Sequence, residues 1–143
     1  MEVTLPEEGV ENLFGVGDRH LRQIEEAFEV TVSARGGAVV VAGEPGPERV
    51  VKHLLSELSR LIARGQRLRP VDVDTAIRVV GESPQASLVD FFLGDSLLAS
   101  VRRLVQPRSL RQQEYLQAIA ANDLTIAIGP AGTGKTFLAV AMA

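Results

Sequence analysis

Apolar residues along this chain recur with two different periods, and each period marks a different kind of element. Leu21, Ile24, Ala27 and Phe28 fall at helical spacing, and Asp18 stands where a carboxylate can cap the helix they predict. Val30, Val32 and Ala34 alternate instead, which predicts a strand. Arg35-Gly36-Gly37 predicts a turn, and Ala38 to Ala42 a second apolar strand. Gly43-Glu-Pro-Gly-Pro47 then breaks the chain. After it, Val51, Leu54, Leu55, Leu58, Leu61 and Ile62 mark one face of a long amphipathic helix that ends near Arg64-Gly65. Upstream, Val3 to Leu5 predicts a short strand, and Asn12 to Phe14 a turn of helix before the loop Gly15-Val-Gly-Asp18. Residues 1–64 therefore read as one small unit in which two helices cover one side of a three-stranded antiparallel sheet. Neither a hairpin nor a single amphipathic helix is stable alone.

Residues 65–106 carry a weaker pattern. Val73, Ala76, Ile77 and Val80 predict a helix of two or three turns that ends at Gly81-Glu-Ser-Pro84. The apolar groups Leu88 to Leu93 and Leu97 to Leu104 suit short helices or short strands equally. This stretch reads as a connector that packs against something, because a free linker carries fewer bulky residues. Residues 107–143 open a different unit. After Pro107, the run Gln112 to Ala121 is helical in pattern, Leu124-Thr-Ile-Ala-Ile128 predicts a buried strand, and Phe137 to Met142 starts another helix.

Composition narrows the classes. The 143 residues are 45% hydrophobic but only 4% aromatic, so the cores are filled by Val, Leu, Ile and Ala. No cysteine occurs, which excludes disulfides and thiolate chemistry. The N-terminus has no signal-peptide pattern, and no apolar run approaches the roughly eighteen residues of a membrane span, so no membrane partner is expected. The net charge of −3 argues against a surface devoted wholly to nucleic acid. Charge is uneven, however: residues 1–64 hold seven Lys and Arg against eleven Asp and Glu, whereas residues 65–111 hold seven against five. The middle is either a local basic surface or a solvated connector.

The most specific chemistry lies near the C-terminus. Gly129-Pro-Ala-Gly-Thr-Gly-Lys-Thr136 satisfies G-x-x-x-x-G-K-[ST], between a predicted strand and a predicted helix. At ordinary glycine frequency, such a coincidence arises on the order of a few times in a thousand chains of this length. Gly129, Gly132 and Gly134 let the backbone curl with its N–H groups inward, while Pro130, Ala131 and Thr133 complete the loop. The unpaired amides of the following helix favour an anion. Lys135 suits the β- and γ-phosphates of a nucleoside triphosphate, and the Thr136 hydroxyl suits the shell of its Mg²⁺. The bland alternative is a glycine-rich turn with an exposed lysine. Turnover also needs a strand-end acid and a water-positioning group. Asp123 lies at the wrong end of its strand for this, and no other acid can be placed. With only seven residues after Thr136, the chain reads as the N-terminal part of a longer protein, whose enzymatic status these residues leave open. Gln112 precedes the loop and has two readings: its amide recognises the adenine edge, or it is an ordinary exposed glutamine. Tyr115 has two readings as well: a ring that stacks on the base, or the core aromatic of this unit.

Pro107 to Ile119, Asn122-Asp-Leu124 and Ile128 to Ala141, with Asn12 to Leu21 and the Ala34-Arg-Gly36 turn, resemble the bacterial PhoH-like proteins. That resemblance implies a cytoplasmic protein whose ATP-binding P-loop domain is related to helicases. It implies ATP and Mg²⁺ at Gly129 to Thr136, Gln112 in the family's glutamine position, and hydrolysis by the whole protein coupled to RNA binding or processing. Residues 1–64 also resemble a KH-type domain in element order, in which a G-x-x-G loop clamps single-stranded or structured RNA. Here that place reads Gly15-Val-Gly-Asp18, with a carboxylate replacing the second glycine, and Arg19, His20 and Arg22 follow. Gly15, Gly17, Arg19 and Arg22 are thus candidate RNA contacts. Packing or self-association is the alternative role for the loop, with an RNA-processing protein as another partner. The expected fold class is α/β: a small KH-like α+β domain over 1–64, a connector over 65–106, and the truncated start of a P-loop NTPase parallel-sheet domain over 107–143. A non-catalytic, nucleotide-responsive module that binds RNA or protein is the competing function.

Overall fold

The computed structural model describes residues 2–4, 10–35, 38–94 and 105–143. Contacts within the chain divide it into two units, Met1–Val89 and Asp90–Ala143.

In the first unit, the strands β1 (Glu2–Thr4), β2 (Thr31–Arg35) and β3 (Ala38–Ala42) form an antiparallel sheet in the order β1-β3-β2. The register pairs Val3 with Val39, and Val32 with Val41. Alternation puts Val39 and Val41 on the buried face of β3, and Val32 is buried beside them. The helices are α1 (Val10–Phe14), α2 (Arg19–Phe28), α3 (Pro45–Ala63) and α4 (Pro70–Glu82). α3 begins with Pro45 and Pro47 in its first turn, where a missing amide costs nothing. Val51, Leu54, Leu55, Leu58 and Leu61 are fully buried along its inner face, each contributing roughly 1.5–3 kcal/mol of transfer free energy. Ile62, read from the sequence as part of that face, is only half-buried.

α4 is a core element. Val73, Ala76, Val79 and Val80 have no exposed surface, and the helix packs on α2 and α3. It starts with a reciprocal cap, in which Asp72 accepts from the Arg69 backbone amide at 2.9 Å and from its guanidinium. The last turn of the unit is tied back to α3. His53 Nε2 donates to the Ala86 carbonyl at 2.9 Å, and the buried Glu57 carboxylate accepts from the Leu88 amide at 2.9 Å and from Arg60 at 2.7 Å. Leu88, open to either helix or strand in the sequence, is thus anchored in a helical turn. Leu5, Gly36, Gly37 and the whole of the 97–104 run, on which expectations were also placed, lie outside the described residues.

The second unit contains a π-helical turn (Asp90–Gly94), α5 (Leu110–Ala121) and α6 (Lys135–Met142). Leu116 and Leu138 form a small buried cluster in it, with Val105, Tyr115 and Met142 packed against them, and Phe91 and Phe92 are buried as well. Tyr115 is partly buried against this cluster.

The expected fold class does not hold. The chain is predominantly helical rather than a balanced KH-like α+β unit followed by a parallel sheet. The strands are three and five residues long, so the helices carry most of the core. The predicted strand Leu124–Ile128 has no strand hydrogen bonding, and Leu124, Ile126 and Ile128 are 80%, 79% and 95% exposed. A strand forms only when a neighbour takes its amides and carbonyls, and among the described residues no segment does so.

Candidate functional site

Residues 129–136 connect that extended segment to α6. Gly132 and Gly134 have φ of 78° and 85°, in the left-handed region that favours glycine, and Gly134 is the residue before the first helical turn. The first bond of α6 runs from the Leu138 amide to the Gly134 carbonyl at 2.9 Å. Helix geometry therefore leaves the amides of Lys135, Thr136 and Phe137 without an intrahelical acceptor, at the end where the helix dipole is positive.

The Lys135 side chain folds back over the loop. Its ammonium donates to the Gly129 carbonyl at 2.9 Å, to the Pro130 carbonyl at 2.5 Å and to Thr133 Oγ1 at 3.1 Å. Thr133 Oγ1 in turn donates to the Pro130 carbonyl at 3.0 Å. All three donors of the ammonium are thus satisfied by loop oxygens, which hold the cation against the turn. Gly129 lies within reach of this cluster, since a Cβ there would stand 3.8 Å from Lys135 Nζ. Ala131 and Thr136 are exposed.

Such an arrangement suits a polyphosphate. Free amides at a helix start and a mobile cation already held by oxygens match the needs of phosphate groups, which replace those oxygens as acceptors. The fit to a metal is narrower: Thr136 offers one hydroxyl, and no group of three His, Cys, Asp or Glu side chains able to hold a metal ion occurs among the described residues.

Gln112 is brought to the loop. Its Nε2 donates to the Thr133 carbonyl at 3.2 Å and its Oε1 accepts from the Arg108 amide at 2.8 Å, while Ser109 Oγ caps the same turn of α5 by accepting from the Gln112 amide at 3.2 Å. The roles of Ser109 and Arg108 escaped the sequence reading. The spacing Ser109-x-x-Gln112 before an apolar helix was the signal that would have found the cap.

In the first unit, the Gly15–Asp18 loop links α1 to α2 through a short 3₁₀ turn. Gly15, Gly17 and Asp18 all have positive φ. Asp18 does not cap α2 through its side chain, contrary to expectation, because a capping residue needs extended backbone and Asp18 is left-handed. His20 is buried beneath the loop, where its Nδ1 lies 3.2 Å from the carbonyls of Asn12 and Leu13. Those carbonyls belong to the last turn of α1 and lack helical partners, so Nδ1 carries the proton and donates to them. Asn12 also holds the α3–α4 junction, donating to the Gln66 carbonyl at 3.3 Å and accepting from the Leu68 amide at 3.2 Å. The motif around Asn12 and His20 thus shapes the loop from below, a role no local sequence signal announced. Above it, Val16 is 98% exposed, and Gly17, Arg19 and Arg22 are exposed too.

Comparison with known proteins agrees with the C-terminal motif. Residues 104–143 match the family model for PhoH-like proteins. A PhoH-like protein of Mycobacterium tuberculosis (strain ATCC 25618 / H37Rv) is 34% identical over 141 residues, covering 99% of this chain and 40% of the relative. The PhoH-like protein of Bacillus subtilis (strain 168) is 30% identical over 138 residues, covering 96% and 43%. That of Synechocystis is 32% identical over 136 residues, covering 92% and 40%. The chain therefore spans about two fifths of the length of the curated relatives it matches. No solved structure matches it. No helix among the described residues is long and apolar enough to cross a membrane.

Proposed function

We propose, on the premise that this chain matches the PhoH-like family, that residues 129–136 hold the triphosphate of ATP and that the whole protein couples ATP binding and hydrolysis to RNA. The observation that carries the reading is the loop itself: Lys135 held against it by three oxygens, at the start of a helix whose first amides have no intrahelical acceptor. In this reading Gly129, Gly132 and Gly134 keep the loop clear of side chains, and Pro130, Ala131 and Thr133 supply its backbone. The Lys135 ammonium exchanges its contacts with loop oxygens for the β- and γ-phosphates. The Thr136 hydroxyl would help hold Mg²⁺, which, when bound with ATP, would neutralise phosphate charge. A location in the cytoplasm accords with this assignment.

Titration of the full chain with Mg²⁺–ATP tests the site. Lys135→Ala should weaken binding by about ten- to a hundredfold, the cost of losing a charge-assisted contact, while the helical signature by circular dichroism is retained. Equal affinity in the two chains would remove Lys135 from the site.

The RNA half of the proposal rests on the Gly15–Arg22 loop. Gly15 and Gly17 shape its backbone, and the exposed Arg19 and Arg22 offer cations to a phosphate backbone. Replacing both arginines by alanine should lower affinity for single-stranded RNA and flatten its dependence on salt by about two counterions. An unaltered salt slope would place the RNA contact elsewhere.

A further inference from the structure

Gln112 stands out because both ends of one side-chain amide are engaged, and by different elements. Its oxygen takes the Arg108 amide at the start of α5, and its nitrogen reaches 21 residues ahead to the Thr133 carbonyl. The side chain is half-buried, and its Nε2 lies 3.4 Å from where a Cβ on Gly134 would stand. It therefore sits directly against the glycine whose left-handed conformation starts α6.

The peptide bond between Thr133 and Gly134 is trans and planar, so its carbonyl and its N–H point in opposite directions. Holding the Thr133 carbonyl towards Gln112 turns the Gly134 N–H away from α5. The glycine can otherwise rotate freely, and one hydrogen bond to its preceding carbonyl removes much of that freedom. Ser109 and Arg108 fix the glutamine itself, since the first caps its helix turn and the second occupies its oxygen.

We infer that Gln112 is a positioning residue for the phosphate loop: it sets the orientation of the 133–134 peptide and hence the direction of the Gly134 amide. This rests on residues 129–136 being the triphosphate site, and it is a role distinct from recognition of the adenine edge. Its ligand selectivity follows. A residue that acts through the loop affects every polyphosphate alike, whereas a reader of the base affects only ligands that have one.

Two measurements on the full chain test it. In the absence of nucleotide, Gln112→Ala and Gln112→Glu should both shift the Thr133 and Gly134 amide resonances and lower their order parameters. The glutamate keeps an acceptor for Arg108 but has no donor for Thr133, so it separates the two ends, and unchanged resonances of α5 certify that the helix survives. Loop resonances identical to the parent in both variants would overturn the inference. Binding of Mg²⁺–ATP and of inorganic tripolyphosphate supplies the second measurement. Gln112→Ala should weaken both by the same factor, roughly three- to tenfold for one hydrogen bond. Loss confined to ATP would return Gln112 to the base. If the parent chain binds neither ligand, the triphosphate reading of the loop fails, and the loop resonances alone decide whether Gln112 orients it.

Discussion

The two units treat the same kind of residue in opposite ways. In the first, Val51, Leu54, Leu55, Leu58 and Leu61 of α3 and Val73, Ala76, Val79 and Val80 of α4 have no exposed surface. In the second, Leu124, Ile126, Ile128, Phe137 and Val140 are each about two-thirds exposed or more, while Phe91, Phe92, Leu116 and Leu138 are buried. Apolar spacing is equally clear in both. The difference teaches that periodicity reports a demand for burial, while only a neighbour at the right place meets it. α3 has α4 and the sheet beside it, whereas the Leu124–Ile128 segment has no paired strand among the described residues.

The largest effect that would sharpen this contrast is expected in α3. Leu58→Ala should cost about 2–5 kcal/mol in chemical denaturation, because it opens a cavity in a fully buried site. A loss well below that would mean the first unit is less tightly packed than its burial implies. Next comes the glycine loop, where Gly15 and Gly17 share positive φ but differ in surroundings. A Cβ on Gly15 would stand 2.9 Å from the His20 ring, and one on Gly17 would meet nothing within 4 Å. Gly17→Ala should cost about 1–2 kcal/mol from backbone strain alone, and Gly15→Ala distinctly more, since it also displaces a buried ring. Equal losses would show that His20 moves aside without cost. In the second unit, Ile126→Ser should change the unfolding midpoint little, within about 0.5 kcal/mol, as a side chain already in water has little burial to lose. A loss comparable to that of Leu58→Ala would mean that Ile126 is covered in solution and would break the contrast.

The smallest effect concerns a surface pair on α3. The hydrogen bond from Lys52 holds the Glu48 carboxyl below its ordinary value. A depressed carboxylate pKa contributes stability that is present above the unfolded value and is lost as pH falls through the folded one. Lys52→Met should therefore return the Glu48 titration, followed by NMR, upward to the ordinary carboxylate range, with a small loss of stability that is present at neutral pH and vanishes as pH falls through the Glu48 titration.

Legibility followed the range of the interaction involved. The helix of α3 and the β2–β3 hairpin were readable because spacing and turn residues are local properties. The glycine-rich turn at 129–136 was readable for a related reason: glycine conformation, a helix start and an adjacent lysine all act within eight residues. α4 was read as part of a connector, although its apolar residues were noticed, because nothing local says that α2 and α3 lie beside it. Glu57 was not singled out at all. Its burial makes sense only once the Leu88 amide, 31 residues further on, is found at its tip. The capping role given to Asp18 failed because residue type favours a cap but the backbone angle decides it.

The sequence by itself determined where helices and turns arise and which residues form the glycine-rich turn before α6, since these depend on neighbours a few positions apart. Tertiary structure decided what those residues touch. It placed His20 and Asn12 beneath the glycine loop, brought Gln112 to the Thr133 carbonyl, and withheld from Leu124–Ile128 the partner its pattern calls for. Such contacts join positions tens of residues apart, where local propensity carries no information and only packing of the whole chain selects the neighbour.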